Sequence, residues 1–149
     1  MEWPVGWRRF VLVSSAKQQT TTAINGSGAA PLAASIDRYL AEGRIPESCW
    51  LAATVPGLVD AWRVALERHG TMSLGVLLED AINNAERGFP LTARQARHNN
   101  EMEPIAAAFG ETVAIFFPDG HPPPAGYVLR QPDLARTLRT LQADGPSAF

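Results

Sequence analysis

Three histidines, one cysteine, nine threonines and one Gly-x-Gly pair are the parts of this 149-residue chain that could do chemistry. Their spacing permits little of it. His69, His98 and His121 lie in separate segments with no partner four residues away, so they read as ordinary surface histidines and no metal site is predicted. Glu101 and Glu103 stand too close in sequence to share a helix face, which makes them solvated charges rather than a general acid and base. Cys49 is the single thiol, so no internal disulfide is possible; beside Trp50 it reads as a small buried hydrophobe. Gly26-x-Gly28 lacks the further glycines and the lysine of a nucleotide loop. The backbone N–H groups of Gly26-Ser27-Gly28 could meet an anion, but a tight turn between a strand and a helix is the simpler reading. No cofactor is predicted.

The elements that position these residues are mostly helical. Phe10 to Val13 and the β-branched run Thr20-Thr21-Thr22-Ala23-Ile24 read as two strands, with the polar stretch Ser14 to Gln19 as a hairpin turn. Two strands are too few for a stable sheet, so the hairpin is expected to add to a sheet encoded elsewhere. Leu32, Ile36, Tyr39 and Leu40 recur at helical spacing before Gly43. A second helix places Pro56 in its first turn, shows Leu58, Trp62, Ala65 and Leu66 on one face, and stops at Gly70. A third starts at Ser73 as N-cap; Leu74, Leu77, Leu78, Ala81, Ile82 and Ala85 form its stripe, and Gly88 closes it. Thr92 to Gln95 has capping-box spacing, and the fourth helix is expected to end by Glu103 because Pro104 disfavours a helical residue before it. Thr112 to Phe117 leads into a proline-rich excursion expected at the surface. A last helix runs from about Pro132, with Leu134, Leu138 and Leu141 facing inward, and ends at Gly145-Pro146.

Composition fits one globular domain, with 46% hydrophobic and 19% charged residues. A formal charge of -2 leaves no electrostatic footprint for nucleic acid and no basic run for an anionic membrane. No stretch approaches the roughly 18 apolar residues of a spanning helix, and no apolar core suited to a secretory signal follows Arg8-Arg9. The chain as written is therefore expected in the cytoplasm. Trp50 and Trp62 read as core or interface anchors.

Five segments carry a resemblance. They are Ile24-Asn25-Gly26-Ser27-Gly28-Ala29-Ala30-Pro31, Ala53-Thr54-Val55-Pro56-Gly57-Leu58, His69-Gly70-Thr71-Met72-Ser73, Asn84-Ala85-Glu86-Arg87-Gly88-Phe89-Pro90-Leu91 and Gln131-Pro132-Asp133-Leu134-Ala135-Arg136-Thr137-Leu138. In this order the chain resembles the middle of the large subunit of the gamma-glutamyltransferase family, from about Phe10 to Phe149. Residues 1–9 are expected to fall outside the match. The resemblance implies a single partial domain over 1–149, α+β in class: a mostly helical fragment of an N-terminal nucleophile hydrolase (αββα) fold with a β-hairpin near its N-terminus. It also implies partner sequence, namely a small subunit and the rest of the large one.

Such enzymes transfer or hydrolyse gamma-glutamyl groups of glutathione and related amides through a Thr that self-cleavage places at the start of the small subunit. The cleavage pattern, Thr followed by Thr or Ser and then His, occurs at none of Thr20, Thr21, Thr22, Thr54, Thr71, Thr92, Thr112, Thr137 or Thr140. No catalytic residue is assigned. The resemblance places a substrate-binding loop at Ser27, Gly28 and Ala29, where family members carry an Arg that grips the substrate carboxylate at the position of Ser27 or, in a second branch, of Ala29. Both positions are uncharged here. A gamma-glutamyl small molecule is thus expected as substrate only in the complete enzyme. The rival reading is a non-catalytic helical interaction module or the inert product of a degraded gene. A neighbouring reading frame for a Thr-led small subunit separates the two.

Overall fold

The computed structural model describes residues 10–43, 45 and 50–148; Cys49 and the side chain of Trp50, both read above, lie outside that description. The chain divides into two compact units, one reaching to Leu74 and the other spanning Gly75–Ala148.

In the first unit, β1 (Phe10–Ser15) and β2 (Thr20–Asn25) form the expected antiparallel hairpin, in the register Val11↔Ile24 and Val13↔Thr22. Strand geometry alternates side chains between faces. Val11, Val13 and Ile24 are accordingly shielded, while Phe10 and Leu12 stay exposed on the other face. Ser14 and Thr21 hydrogen-bond across that outer face at 2.9 Å. Gln19, at φ 50°, completes the four-residue turn.

Helix α1 (Ile36–Ala41) is shorter than its apolar spacing predicts, because Ser35 caps it by accepting the Arg38 N–H at 3.3 Å. Leu32 therefore precedes the helix and is fully exposed. The Tyr39 hydroxyl donates to the Leu51 carbonyl at 2.9 Å, tying α1 to the 3₁₀ turn Trp50–Ala52. Helix α2 (Leu58–His69) packs against both strands. Its N-cap is Gly57, whose carbonyl accepts the Ala61 N–H at 3.0 Å, so Pro56 lies before the helix and not in its first turn. The most buried positions are Val59 and Ala61 rather than the expected Leu58, Trp62, Ala65 and Leu66, which are half-buried. The stripe is rotated toward the hairpin. On the solvent side Arg63 bonds Asp60 and Glu67 at 2.8 and 2.7 Å. Those carboxylates, Glu67 first, hold the Arg63 proton more tightly than usual.

The second unit is built on α3 (Leu74–Arg87) and α6 (Pro132–Asp144). Leu78, Ile82 and Ala85 of α3 and Ala135, Leu138 and Leu141 of α6 are buried. Polar ties also join the helices. Gln142 Nε2 donates to the Gly75 carbonyl at 2.9 Å, the Gln131 N–H donates to the Ala85 carbonyl at 2.8 Å, and Arg139 makes a two-pronged contact with Glu86 at 2.7 Å. The pairings 75 with 142 and 85 with 131 run the helices antiparallel. Leu134 is 43% exposed, against the inward orientation expected of it, because the α6 stripe is centred one position further on, at Ala135.

Gly88 ends α3 at φ 84° and lies against the Val128 and Arg130 side chains, where β3 (Phe89–Pro90) pairs with β4 (Val128–Leu129). This short pair escapes sequence reading, since two residues per strand leave no alternation to detect. At Thr92 both halves of the predicted capping box form, opening α4 (Ala93–Ala106). The helix continues through Pro104 instead of stopping at Glu103. A proline removes one ladder bond; here Ala106 is buried and the Ala107 N–H closes the turn on the Glu103 carbonyl at 2.9 Å.

Thr112 to Phe117 falls largely in α5 (Gly110–Phe116), followed by the 3₁₀ turn Pro118–Gly120. The excursion is only partly on the surface: Phe117 and Pro123 are buried, whereas Asp119, His121 and Pro124 are exposed. No helix among the described residues is long and apolar enough to cross a membrane.

Candidate substrate-binding loop

The loop that follows β2 is built from its own side chains first. Asn25 Oδ1 accepts the Ser27 N–H at 2.9 Å, which turns the chain as it leaves the strand. Gly28 then adopts φ +75°, the left-handed region that glycine enters without a Cβ penalty. Ser27 is half-buried, and Gly28 and Ala29 are exposed, so three adjacent residues reach the surface on a fixed turn.

What fixes the turn is a segment some 26 residues further on. Thr54 Oγ1 donates to the Ser27 carbonyl at 3.2 Å, and the Val55 N–H donates to the Ala29 carbonyl at 2.9 Å. A Cβ on Gly28 would overlap the Val55 carbonyl oxygen, and one on Gly57 would lie 2.7 Å from the Gly28 nitrogen. Two glycines thus allow two backbones to touch. Sequence reading singled out both segments but had no reason to join them, because hydrogen bonds between distant loops leave no periodic trace.

The other candidates stay apart. His69 and His121 are exposed, and His98 stands 4.0 Å from Glu101, one turn away on α4. Glu103 is half-buried one further step along the same helix. Among the described residues no three His, Cys, Asp or Glu side chains gather as a metal site would require. The loop is also uncharged. It can offer a carboxylate the Ser27 hydroxyl, which makes no hydrogen bond among the described residues, but no guanidinium, and the Ser27 N–H is already bonded to Asn25.

A hairpin followed by a glycine-locked loop, with helices that outnumber the strands, makes this an α+β protein. Comparison with known proteins assigns it further. The family model for gamma-glutamyltranspeptidase matches residues 5–149, so the match takes in part of the stretch 1–9 expected to lie outside it, and the chain belongs to that family. It is 34% identical over 146 residues to the glutathione hydrolase-like YwrD proenzyme of Bacillus subtilis, covering 97% of this chain and 28% of that protein. With the oxamate amidohydrolase proenzyme of Klebsiella pneumoniae it shares 37% identity over 136 residues, 85% of this chain and 25% of the other. Among solved structures, Helicobacter pylori gamma-glutamyltranspeptidase matches with a TM-score of 0.89 at 29% identity, over 97% of this chain and 43% of that one. The chain spans about a quarter of the length of these curated relatives.

Proposed function

We propose that this chain is a large-subunit segment of an N-terminal nucleophile hydrolase that transfers or hydrolyses acyl groups of small amides, gamma-glutamyl groups first among them. The observation that carries this reading is the loop at residues 27–29, held against residues 54–57: two segments of the family resemblance meet and form one surface feature. In the complete enzyme a Thr hydroxyl at the start of the small subunit attacks the amide carbonyl while its own amine takes the proton. The amine leaving group departs with a proton, and water or a second amine then cleaves the resulting ester. The residues of this chain take no part in those bond changes; they shape the side of the site that meets the acyl group.

The partner is accordingly the remaining family sequence. Phe10 and Leu12 on the outer face of the hairpin, 68% and 70% exposed, are the apolar surface that further sheet would cover.

The test is assay of the 149-residue polypeptide alone. It is expected to hydrolyse a gamma-glutamyl anilide no faster than a heat-treated control, because nucleophile, base and oxyanion donors all lie in other sequence. Turnover abolished by one substitution within these residues would refute the reading.

A second expectation concerns the acyl group. In an enzyme completed with a Thr-led small subunit and the rest of the large one, Ser27→Arg or Ala29→Arg lowers the Michaelis constant for glutamyl substrates. A charge-assisted hydrogen bond contributes about 1.5–3 kcal/mol. Equal preference for glutamyl and glutaryl substrates before and after the change would show that the loop does not read the α-carboxylate.

A further inference from the structure

We infer that Thr54 and Gly57 are positioning residues that set the conformation of the Ser27-Gly28-Ala29 loop, and that Gly57 is confined to glycine by the backbone it touches rather than by its own torsion angles. The inference rests on the substrate-loop reading above only for its functional consequence; the structural part stands by itself.

The observations are independent of one another. Thr54 supplies a side-chain hydroxyl to the Ser27 carbonyl, a contact that is part-buried and spans 27 residues. One residue on, the Val55 N–H takes the Ala29 carbonyl, so both flanks of Gly28 are held from the same side. Gly57 has φ -108° and ψ -2°, angles open to any residue, and helix N-caps are commonly Ser, Thr, Asp or Asn. A Cβ there would nevertheless lie 2.7 Å from the Gly28 nitrogen, 2.9 Å from its Cα and 3.1 Å from the Gly26 carbonyl oxygen. All three are backbone atoms, so no side chain can rotate away. The loop would have to move.

Hydrogen–deuterium exchange of the full chain, read by mass spectrometry on peptides covering 25–31 and 52–59 with peptides of α6 as control, tests this. Thr54→Val is expected to speed exchange in the two loop peptides roughly fivefold, the loss of one hydrogen bond, with α6 unchanged. Thr54→Ser restores the hydroxyl and the native rates, and Gly57→Ala accelerates the same two peptides. Native rates in Thr54→Val, equal acceleration in the Val and Ser variants, or no change in Gly57→Ala would each overturn the inference. So would a loss of protection throughout the chain, which marks general stability instead of positioning. In the completed enzyme Thr54→Val is expected to raise KM for a gamma-glutamyl anilide at constant kcat, with Thr54→Ser rescuing it. Unchanged KM beside altered exchange would retire the substrate-loop reading and leave the positioning intact.

Discussion

Gly28→Ala is expected to destabilise the hairpin unit by about 3–5 kcal/mol, a loss large enough to unfold a marginal domain. Two costs combine. The backbone is left-handed at φ +75°, which costs a residue with a Cβ about 1–2 kcal/mol. The new methyl group would also overlap the Val55 carbonyl oxygen, breaking the Val55 to Ala29 hydrogen bond as the segments separate. Gly43 provides the control: its φ of +72° is nearly the same, yet none of the described residues lies within 4 Å of a Cβ built there. Gly43→Ala therefore carries the torsional cost alone, about 1–2 kcal/mol. Denaturant unfolding of the two variants compares them, and equal losses would mean that the contact with residues 54–57 contributes nothing.

Leu141→Ala is expected to cost about 2–5 kcal/mol in the second unit, because it removes a buried side chain from a packed layer and leaves a cavity. Leu141 is 3% exposed. The two-pronged Arg139–Glu86 contact is more conspicuous but stands in solvent, with the two side chains 55% and 37% exposed, so Arg139→Ala costs no more than about 1 kcal/mol. Leu134→Ala, at a position 43% exposed, stays within about 0.5 kcal/mol. Thermal or denaturant unfolding ranks the three. Should Arg139→Ala prove the most costly, polar ties rather than apolar burial would be holding α3 to α6.

Much of this fold was legible because its signals are local. The hairpin follows from β-branched runs around a polar turn, and α3 from a 3.6-residue stripe, although Leu77 and Ala81 of that stripe are exposed and only Leu78, Ile82 and Ala85 are buried. The α4 capping box follows from two side chains three residues apart, and its two hydrogen bonds form as expected. The family, too, was readable, since its segments keep their order along the chain. The misreadings lie elsewhere. Leu134 turns outward, and Val59 with Ala61 are buried more deeply than Leu58 and Trp62, because apolar spacing gives a helix's period but not which of its faces meets a neighbouring element, and Pro104 stays within α4 although its ring removes a ladder bond.

The candidate site divides along the same line. By itself the sequence determined that the loop is uncharged at Ser27, Gly28 and Ala29 and that no threonine has the cleavage context, because residue identity needs no fold. It also determined that glycines would turn the chain after β2. Only the tertiary structure decided what the loop leans on. Thr54 and Gly57 reach it across more than 25 residues, through a side-chain hydrogen bond and a backbone contact at van der Waals limits. Neither kind of interaction repeats along a chain, so only folding brings the partners into view.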